Sequence, residues 1–450
     1  MLVKRNAASS LDKIQAIVNQ CDRCGACLSV CPVYADNHRE TAVARGKLAT
    51  VRAMIEGGIT ADSKIVTAFE FCLLCKACTE NCPSKVKTDE VMIEARQYTA
   101  EKLGRRIKHQ FIAVLLGNNV LIRLTAGTLK LSRKAGLNGL LRSVVPIEHT
   151  KNHFQEMAMG PAAFPSFPEL TRPKMPHHAR IAYFQGCAMK MFFPAASQAT
   201  MKLLNKTAEV ITSESVCCGM PQLVHGMANQ AYTLAKKNIV SFANVDRIIT
   251  DCASCGSSLK EYGHRLAADP QWAERAQEFS QKVMGLSEYL YEIDYQPNRK
   301  SALKVTYHDP CHLVRGQGIK KQPRELLKRV AEYVEMPQAD KCCGGAGTFY
   351  LDFPETAQNI LAEKVKNIKG TDVDVVVTEC PACLMQLAKG KQQSGYFEVM
   401  HISQVLGMEF SSTLEGGLTS NMCLSGKQVF SCQTHTNQLI ICQKIISNNG

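Results

Sequence analysis

The cysteines constrain this chain more than any other feature of its sequence. Twenty-one of its 450 residues are cysteine, and all but Cys423, Cys432 and Cys442 fall into regular spacings. A disulfide-rich secreted scaffold is usually short and begins with a signal peptide, whereas residues 1–20 contain no apolar core or small-residue cleavage site. Regularly spaced, reduced cysteines in a long chain are typical of metal ligands, so we expect a cytoplasmic metal-binding protein.

Eight of the cysteines form two copies of one run. Cys21-x-x-Cys24-x-x-Cys27-x-x-x-Cys31-Pro32 recurs as Cys72-x-x-Cys75-x-x-Cys78-x-x-x-Cys82-Pro83. In such a run three thiolates hold one iron–sulfur cubane, and the fourth reaches the neighbouring cluster. We therefore assign one [4Fe–4S] cluster to Cys21, Cys24, Cys27 and Cys82. The second is assigned to Cys31, Cys72, Cys75 and Cys78.

Zinc is the alternative occupant of these runs, because Cys-x-x-Cys pairs also build tetrahedral zinc sites. A zinc site of that kind uses two separated pairs, whereas here four cysteines lie within eleven residues, which favours two cubane clusters. Forty residues separate Cys31 from Cys72, and residues 41–55 have helical periodicity. The sequence therefore predicts an α-helical ferredoxin domain over residues 1–101.

A different pattern of five cysteines occurs twice in the second half of the chain. The two sets are Cys187, Cys217, Cys218, Cys252 and Cys255, and Cys311, Cys342, Cys343, Cys380 and Cys383. The single cysteine is separated from the adjacent pair by 29 and 30 residues, and the pair from the Cys-x-x-Cys by 33 and 36. One order at nearly one spacing indicates an internal duplication.

Each copy alternates strand-like and helix-like segments. Four apolar runs each end just before a cysteine or a Cys-x-x-Cys pair: residues 180–185, 246–251, 304–308 and 374–378. Helical periodicity lies between them, as over 195–204 and 355–368. This alternation predicts two tandem α/β domains with parallel strands, which we place at residues 179–297 and 298–410.

The segment that joins the two halves, residues 102–178, is basic and then rich in proline. Residues 102–151 contain ten Lys or Arg and one acid, Glu148, in a chain whose net charge is +13. Apolar residues recur there at helical spacing, and such a helix could lie on an anionic membrane surface. A packed helical linker with a solvated basic face is the interpretation that the pattern alone favours. The prolines of residues 161–176 are typical of a stiff linker.

Two further predictions concern membranes and the C-terminal tail. No window holds eighteen uncharged apolar residues, so the sequence predicts no membrane-spanning helix. Residues 411–450 are polar and rich in Gly, Ser and Asn, and we expect a loosely ordered tail whose three cysteines bind no metal.

The chemistry of the five-cysteine sets differs from that of the ferredoxin runs. Adjacent cysteines such as Cys217 and Cys218 cannot both face one small tetrahedral ion without strain, but they can ligate different irons of a larger cluster. Five thiolates also exceed the four that a cubane uses. The glycine after each pair permits a close backbone approach or a positive φ.

With these motifs the chain resembles the iron–sulfur subunit of glycolate oxidase over residues 10–410. The matching stretches are 185–188, 255–263 and 342–348. The same cysteine-rich "CCG" domain pair occurs in lactate-utilisation proteins and in one subunit each of anaerobic glycerol-3-phosphate dehydrogenase and heterodisulfide reductase. In the heterodisulfide reductase relative, each five-cysteine set holds a noncubane [4Fe–4S] cluster. The resemblance therefore implies one or two further clusters here, with zinc in one copy left open.

Three histidines lie near the repeat cysteines in sequence. His308 and His312 flank Cys311, and each could tune a cluster by hydrogen bonding, although ordinary packing is slightly favoured for both. His225, seven residues past Cys218, is a less specific candidate.

The sequence lacks the motifs of an independent dehydrogenase. There is no dinucleotide fingerprint, P-loop, nucleophile elbow or zinc-protease helix. Oxidising an alcohol carbon removes two electrons together with a proton or hydride, which is a task for a flavin or nicotinamide. We therefore expect this chain to carry electrons and not to be catalytic on the organic substrate by itself.

The resemblance implies a subunit of a glycolate or lactate dehydrogenase/oxidase complex. A FAD-dependent partner would oxidise the 2-hydroxy acid, and electrons would pass through this chain to a quinone or another carrier, with possible contact at the inner face of the cell membrane and no nucleic-acid partner. The alternatives are a catalytic, heterodisulfide-reductase-like subunit that uses a noncubane cluster, an electron-transfer subunit of anaerobic glycerol-3-phosphate dehydrogenase, and a metal-binding scaffold without a redox path. Fusion of the ferredoxin to both repeats favours the electron-transfer subunit of a glycolate or lactate complex over these alternatives.

Overall fold

The computed structural model describes residues 11–122, 124, 180–211, 214–297 and 300–408, and the backbone of 422–425 and 428–431. The chain divides into two units, residues 1–408 and 409–450. The predicted Pro-rich linker and most of the predicted tail lie outside the described residues. The domain limits given above stay a prediction.

Residues 11–122 form the helical N-terminal part. Its α-helices are α1 (Gln15–Asn19), α2 (Pro32–Asn37), α3 (Ala44–Ile55), α4 (Ser63–Glu70), α5 (Ala77–Glu80), α6 (Thr88–Leu103) and α7 (Ile107–Gly117), with 3-10 turns at Asp12–Ile14 and Glu40–Ala42. The helix predicted over 41–55 is present as the 3-10 turn Glu40–Ala42 followed by α3. Val51, Phe69, Val91 and Met92 are buried between α3, α4 and α6, and they form the apolar core that holds the two cysteine runs.

Two four-stranded parallel sheets follow, as the alternating pattern predicts. The first contains β1 (Ile181–Tyr183), β2 (Val210–Ile211), β3 (Arg247–Thr250) and β4 (Val283–Gly285) in the order β2-β1-β3-β4. The second contains β5 (Lys304–Tyr307), β6 (Glu332–Tyr333), β7 (Val375–Thr378) and β8 (Glu398–His401) in the order β6-β5-β7-β8. All pairings within these sheets are parallel. The duplication seen in the cysteines is therefore a duplication of topology.

Helices connect the strands of each sheet. Those of the first repeat are Cys187–Phe192, Pro194–Thr207, Met220–Val224, Ala228–Ser241, Ala253–Lys260, Tyr262–Arg265, Ala273–Lys282 and Leu286–Glu292. Those of the second are Cys311–Gln317, Lys321–Val330, Phe349–Asp352, Pro354–Lys369, Pro381–Ser394 and Ile402–Leu406. Because the carboxyl ends of parallel strands meet at one edge of a sheet, the cysteines that follow the two central strands lie close together.

The two repeats share one hydrophobic core. Ile249 and Leu286 of the first repeat and Val305 and Val377 of the second belong to a single buried apolar cluster. Backbone hydrogen bonds cross the same boundary, since the Ala253 amide donates to the carbonyl oxygen of Glu379 at 2.8 Å. The two α/β repeats are thus packed as one body.

The helical part docks on the repeats through α6. The buried Arg96 guanidinium donates to the carbonyl oxygens of Phe69 and of Val224, each at 3.1 Å, so it ties α4 to the first repeat. Gly226 packs directly against α6: a Cβ atom at Gly226 would lie 2.6 Å from the Arg96 carbonyl oxygen and 2.7 Å from Ala100 Cβ. This junction fixes the position of the ferredoxin cysteines relative to those of the repeats.

No helix in the described ranges is both long and apolar enough to span a membrane. In the C-terminal unit, β9 (Met422–Ser425) pairs antiparallel with β10 (Gln428–Ser431).

We predict that Gly226→Ala destabilises the folded protein through this junction. Gly226 has φ of +67°, so the variant suffers both backbone strain and overlap with α6. Gly104→Ala is the matched control, because Gly104 has φ of +83° but no atom within 4 Å of the added methyl group. In thermal or urea unfolding, Gly226→Ala should lose about 1–3 kcal/mol more than Gly104→Ala. Equal losses would contradict the tight contact.

Candidate metal centres

The two ferredoxin runs have the same backbone conformation at their middle cysteine. The residues on either side of Cys24 and of Cys75 have positive φ: Arg23 57°, Gly25 86°, Leu74 52° and Lys76 61°. Successive turns of this kind make the backbone concave and point amide groups inward, as in many iron–sulfur and phosphate sites. The loops therefore suit an anionic iron–sulfur cluster.

The structure brings the fourth cysteine of the first run to the second run. Cys31 lines one cavity together with Cys72, Cys75 and Cys78, the set that the sequence assigns to one cluster. Burial raises the pKa of Cys78 to about 12, and the charge of Cys72 adds to the effect. Because iron binds thiolates, loading this site must displace the thiol protons. The ligand assignment itself stays a prediction.

The other ferredoxin set lies nearer the surface. Cys24 is exposed, whereas Cys21, Cys27 and Cys82 are half-buried. Burial raises the pKa of Cys27, and the nearby Cys21 contributes in the same direction. Cys21 and Cys82 both pack against the apolar core of the helical part. A partner protein could therefore approach the cluster assigned to this set from the solvent side.

Two buried cations lie beside the Cys31 set, and the sequence analysis did not identify either. Lys47 is 1% exposed, lines the same cavity, and donates to the carbonyl oxygens of Thr41 and Ala42 at 2.9 and 2.6 Å. Arg96 donates to the carbonyl oxygen of Cys72 at 2.8 Å. Both cations offset the negative charge of thiolates. Because their partners are backbone carbonyls, which every residue has, no sequence pattern marks them.

The five cysteines of each repeat converge in the same order. In the first site Cys187 Sγ lies 3.7 Å from Cys217 Sγ, and side-chain contacts continue through Cys218 and Cys255 to Cys252. In the second site the contacts run Cys311, Cys342, Cys343, Cys383 and Cys380. Five sulfurs in contact exceed the four ligands of a zinc ion and fit a larger cluster. The structure thus brings all ten predicted residues together as two sets.

A glycine with positive φ places each adjacent pair. Gly219 and Gly344 have φ of +86° and +85°, which a side chain rarely adopts. A Cβ atom on Gly344 would also lie 2.8 Å from the carbonyl oxygen of Ala357. The close approach expected of the glycine after each pair is therefore present.

A buried tyrosine–carboxylate pair recurs beside each site. The Tyr183 hydroxyl donates to Asp251 at 2.6 Å, and the Tyr307 hydroxyl donates to Glu379 at 2.9 Å. Burial raises the pKa of Glu379 to about 7 and raises that of Asp251 as well. Each tyrosine stands four residues before the first cysteine, and each acid immediately precedes the Cys-x-x-Cys. Alignment of the two repeats could have found both.

The cysteine sets lie in series. Cys75 of the ferredoxin packs in one apolar cluster with Cys342 and Cys311 of the second site. The charge of Cys342 contributes, after burial, to a pKa of Cys75 well above its usual value. The second site in turn meets the first, since Ser254, within the first Cys-x-x-Cys, lies 3.5 Å from Cys380 Sγ. The order is therefore ferredoxin, second site, first site.

The three histidines differ in their surroundings. His312 has a partner at each ring nitrogen, Ser254 Oγ and the Leu74 carbonyl oxygen, both at 3.2 Å. His225 bonds to Thr348 at 3.0 Å and stacks on His109. These two have packing roles that link parts of the fold. His308 is 1% exposed and lies beside the second cysteine set.

Comparison with known proteins agrees with this architecture. The family model described as "4Fe-4S dicluster domain" matches residues 17–86, and "Cysteine-rich domain" matches residues 181–260 and 305–388. A "Probable glycolate oxidase iron-sulfur subunit" of Bacillus subtilis (strain 168) is 34% identical over 414 residues, covering 86% of this chain and 92% of the relative. The chain belongs to the glycolate oxidase iron–sulfur subunit family. It is an iron–sulfur electron-transfer subunit, so the predicted family, fold class and cofactor class are confirmed.

Two further relatives and one solved structure extend the comparison. The "Glycolate oxidase iron-sulfur subunit" of Escherichia coli (strain K12) is 25% identical over 88% of this chain and 95% of its own length. "Lactate utilization protein A" of Geobacillus sp. (strain WCH70) is 30% identical over 50% of this chain and 98% of its own length. The crystal structure of a hypothetical protein from Helicobacter pylori superposes with a TM-score of 0.50 at 9% identity, over 89% of this chain and 76% of that one. That last likeness concerns the fold alone.

We predict that paired substitutions distinguish the crosswise ligand sets from local ones. If Cys31 shares a cluster with Cys72, the double variant Cys31→Ala/Cys72→Ala should lose about four irons per chain, because it damages one cluster. The matched control Cys21→Ala/Cys31→Ala should lose about eight, because it damages two. Iron analysis and EPR after anaerobic purification make the measurement. The reverse result would mean that each run holds its own cluster.

Proposed function

We propose that this protein accepts electrons from a FAD-dependent partner, which oxidises glycolate or lactate, and passes them to a quinone or another carrier. The observation that carries the proposal is the series of cysteine sets, which begins near solvent at Cys24 and continues inward through Cys75 to Cys342. The names of the Bacillus and Geobacillus relatives support a 2-hydroxy acid as the substrate of the complex. When bound, iron–sulfur clusters accept and release single electrons.

The residues around the sets suit transport rather than bond-breaking. The thiols of the first site are all buried, with exposed fractions between 1% and 8%, so an organic disulfide has no direct access to them. Lys47 and Arg96 place positive charge beside the Cys31 set, which favours the addition of an electron there. These features support the electron-transfer role over catalysis of the heterodisulfide-reductase type.

The purified chain is expected to show reducible iron–sulfur signals by EPR but no oxidation of glycolate or lactate. Adding the FAD-dependent partner together with substrate should reduce the clusters that give those signals, because the two-electron step then takes place on the flavin. The partner with substrate but without this chain is the control for direct electron loss to the acceptor. Oxidation of either acid by this chain alone would refute the proposal.

The exposed face of α7 supports a location at a membrane surface. Ile107, Phe111 and Val114 recur at i, i+4 and i+7, which places them on one face of the helix, and they are 85%, 68% and 50% exposed. His109 and Ala113 are buried on the opposite side. The nine-charge basic excess of residues 102–151 would add attraction to anionic lipid. We propose that this apolar stripe inserts into the headgroup region, where a quinone acceptor would be reached.

This location predicts that Phe111→Glu/Val114→Glu weakens binding to anionic vesicles. Each buried side chain contributes about 1.5–3 kcal/mol, so the double variant should bind at least roughly tenfold less in flotation with phosphatidylglycerol vesicles. Val240→Glu is the matched control, since Val240 is 55% exposed on another helix. Binding by the wild type should also fall as salt increases. Equal binding by the wild type and the double variant would contradict the membrane location.

A further inference from the structure

His308 is a buried imidazole beside the second cysteine site. It follows β5 directly, is 1% exposed, and neither ring nitrogen makes a hydrogen bond of regular geometry among the described residues, although the Ala339 carbonyl oxygen lies nearby. Buried polar groups in proteins are almost always hydrogen-bonded, because an unpaired donor has lost its contact with water. We therefore expect a ring nitrogen of His308 to have a further hydrogen-bond partner.

The ring lies close to two of the sulfur atoms. A ring nitrogen of His308, Cys343 Sγ and Cys383 Sγ all lie within 4.8 Å of one another. These two cysteines are neighbours in the series of contacting thiols described above. His312, on the other side of Cys311, has a protein partner at each nitrogen, so the two flanking histidines have different roles.

An imidazole can supply the missing hydrogen bond, since it carries at least one N–H donor whether it is neutral or protonated. Sulfur atoms of an iron–sulfur group are electron-rich and accept such hydrogen bonds.

The first repeat has no such donor at the equivalent position. Tyr183 and Tyr307 occupy equivalent positions in β1 and β5, so the next residues, Phe184 and His308, are also equivalent. Phe184 is fully buried in an apolar cluster with Cys218, Cys252 and Cys255. The two sites therefore have matching thiol sets but differ by one N–H donor at this position.

We propose that His308 donates an N–H hydrogen bond to the iron–sulfur group held by Cys311, Cys342, Cys343, Cys380 and Cys383, and that this bond raises the reduction potential of the second site above that of the first. Reduction adds negative charge to the group, and a donor to its sulfur stabilises the reduced form more than the oxidised form. The proposal rests on iron–sulfur occupancy of the second site.

The first test is anaerobic redox titration of His308→Phe, which copies the first repeat. One EPR signal, the one that Cys311→Ala abolishes, should shift to a more negative midpoint while the iron content per chain stays unchanged. His308→Asn and His308→Gln retain an amide donor, and at least one should return the midpoint toward that of the wild type. The unaltered ferredoxin signals serve as the control for folding. An unchanged midpoint in His308→Phe would overturn the proposal.

The second test detects a ring nitrogen of His308 directly. In protein labelled with ¹⁵N-histidine, the reduced second site should show the weak hyperfine coupling of a hydrogen-bonded nitrogen, and His308→Phe should remove it. A strong coupling, typical of direct iron–nitrogen ligation, would overturn the hydrogen bond. The reciprocal variant Phe184→His should move the midpoint of the first site upward. Iron confined to the ferredoxin half would overturn this inference while leaving the ferredoxin's electron-transfer role intact.

Discussion

The parallel register of the two sheets is the constraint on which both repeat sites depend. In each sheet the two central strands end at the same edge, and the chain places a cysteine shortly after each end. The adjacent pair then enters from a loop that turns at a glycine with φ near +85°, as at Gly344. Five thiols meet because the backbone of these strands and loops brings them to one place. A slip of one residue in a central strand would turn its side chains to the opposite face of the sheet.

Duplication preserved this frame while allowing the two sites to differ. The tyrosine–carboxylate pairs recur in both copies, beside the same cysteines. The contacts with the ferredoxin do not recur: it packs its Cys75 loop against the second site, although the first repeat is nearer in sequence. The second site therefore lies between the ferredoxin and the first site. His308 belongs to this intermediate site, whereas Phe184 occupies the equivalent position at the first site.

The spacing of the repeat cysteines predicted which of them lie close together, because that spacing reflects the geometry of the loops that carry them. The sequence also predicted the parallel α/β repeats, since their strands are short apolar runs that end at cysteines. It could not identify Lys47 or Arg96, whose partners are backbone carbonyls that leave no pattern. Nor could it separate His308 from His312, because both flank Cys311. The difference arises from structure: His312 lies in the helix that faces Leu74, whereas His308 remains at the strand end beside the thiols.

The helix α7 shows what pattern alone cannot decide about the basic segment. Amphipathic periodicity says only that one face is apolar, and in most proteins that face packs inward. Here Ala113 and His109 occupy the inward face, and His109 bonds to Asp352 at 2.9 Å. The larger apolar side chains, Ile107 and Phe111, are thereby left on the outer face. The proposed membrane-surface role of α7 rests on this combination of an apolar outer face and the start of a strongly basic segment.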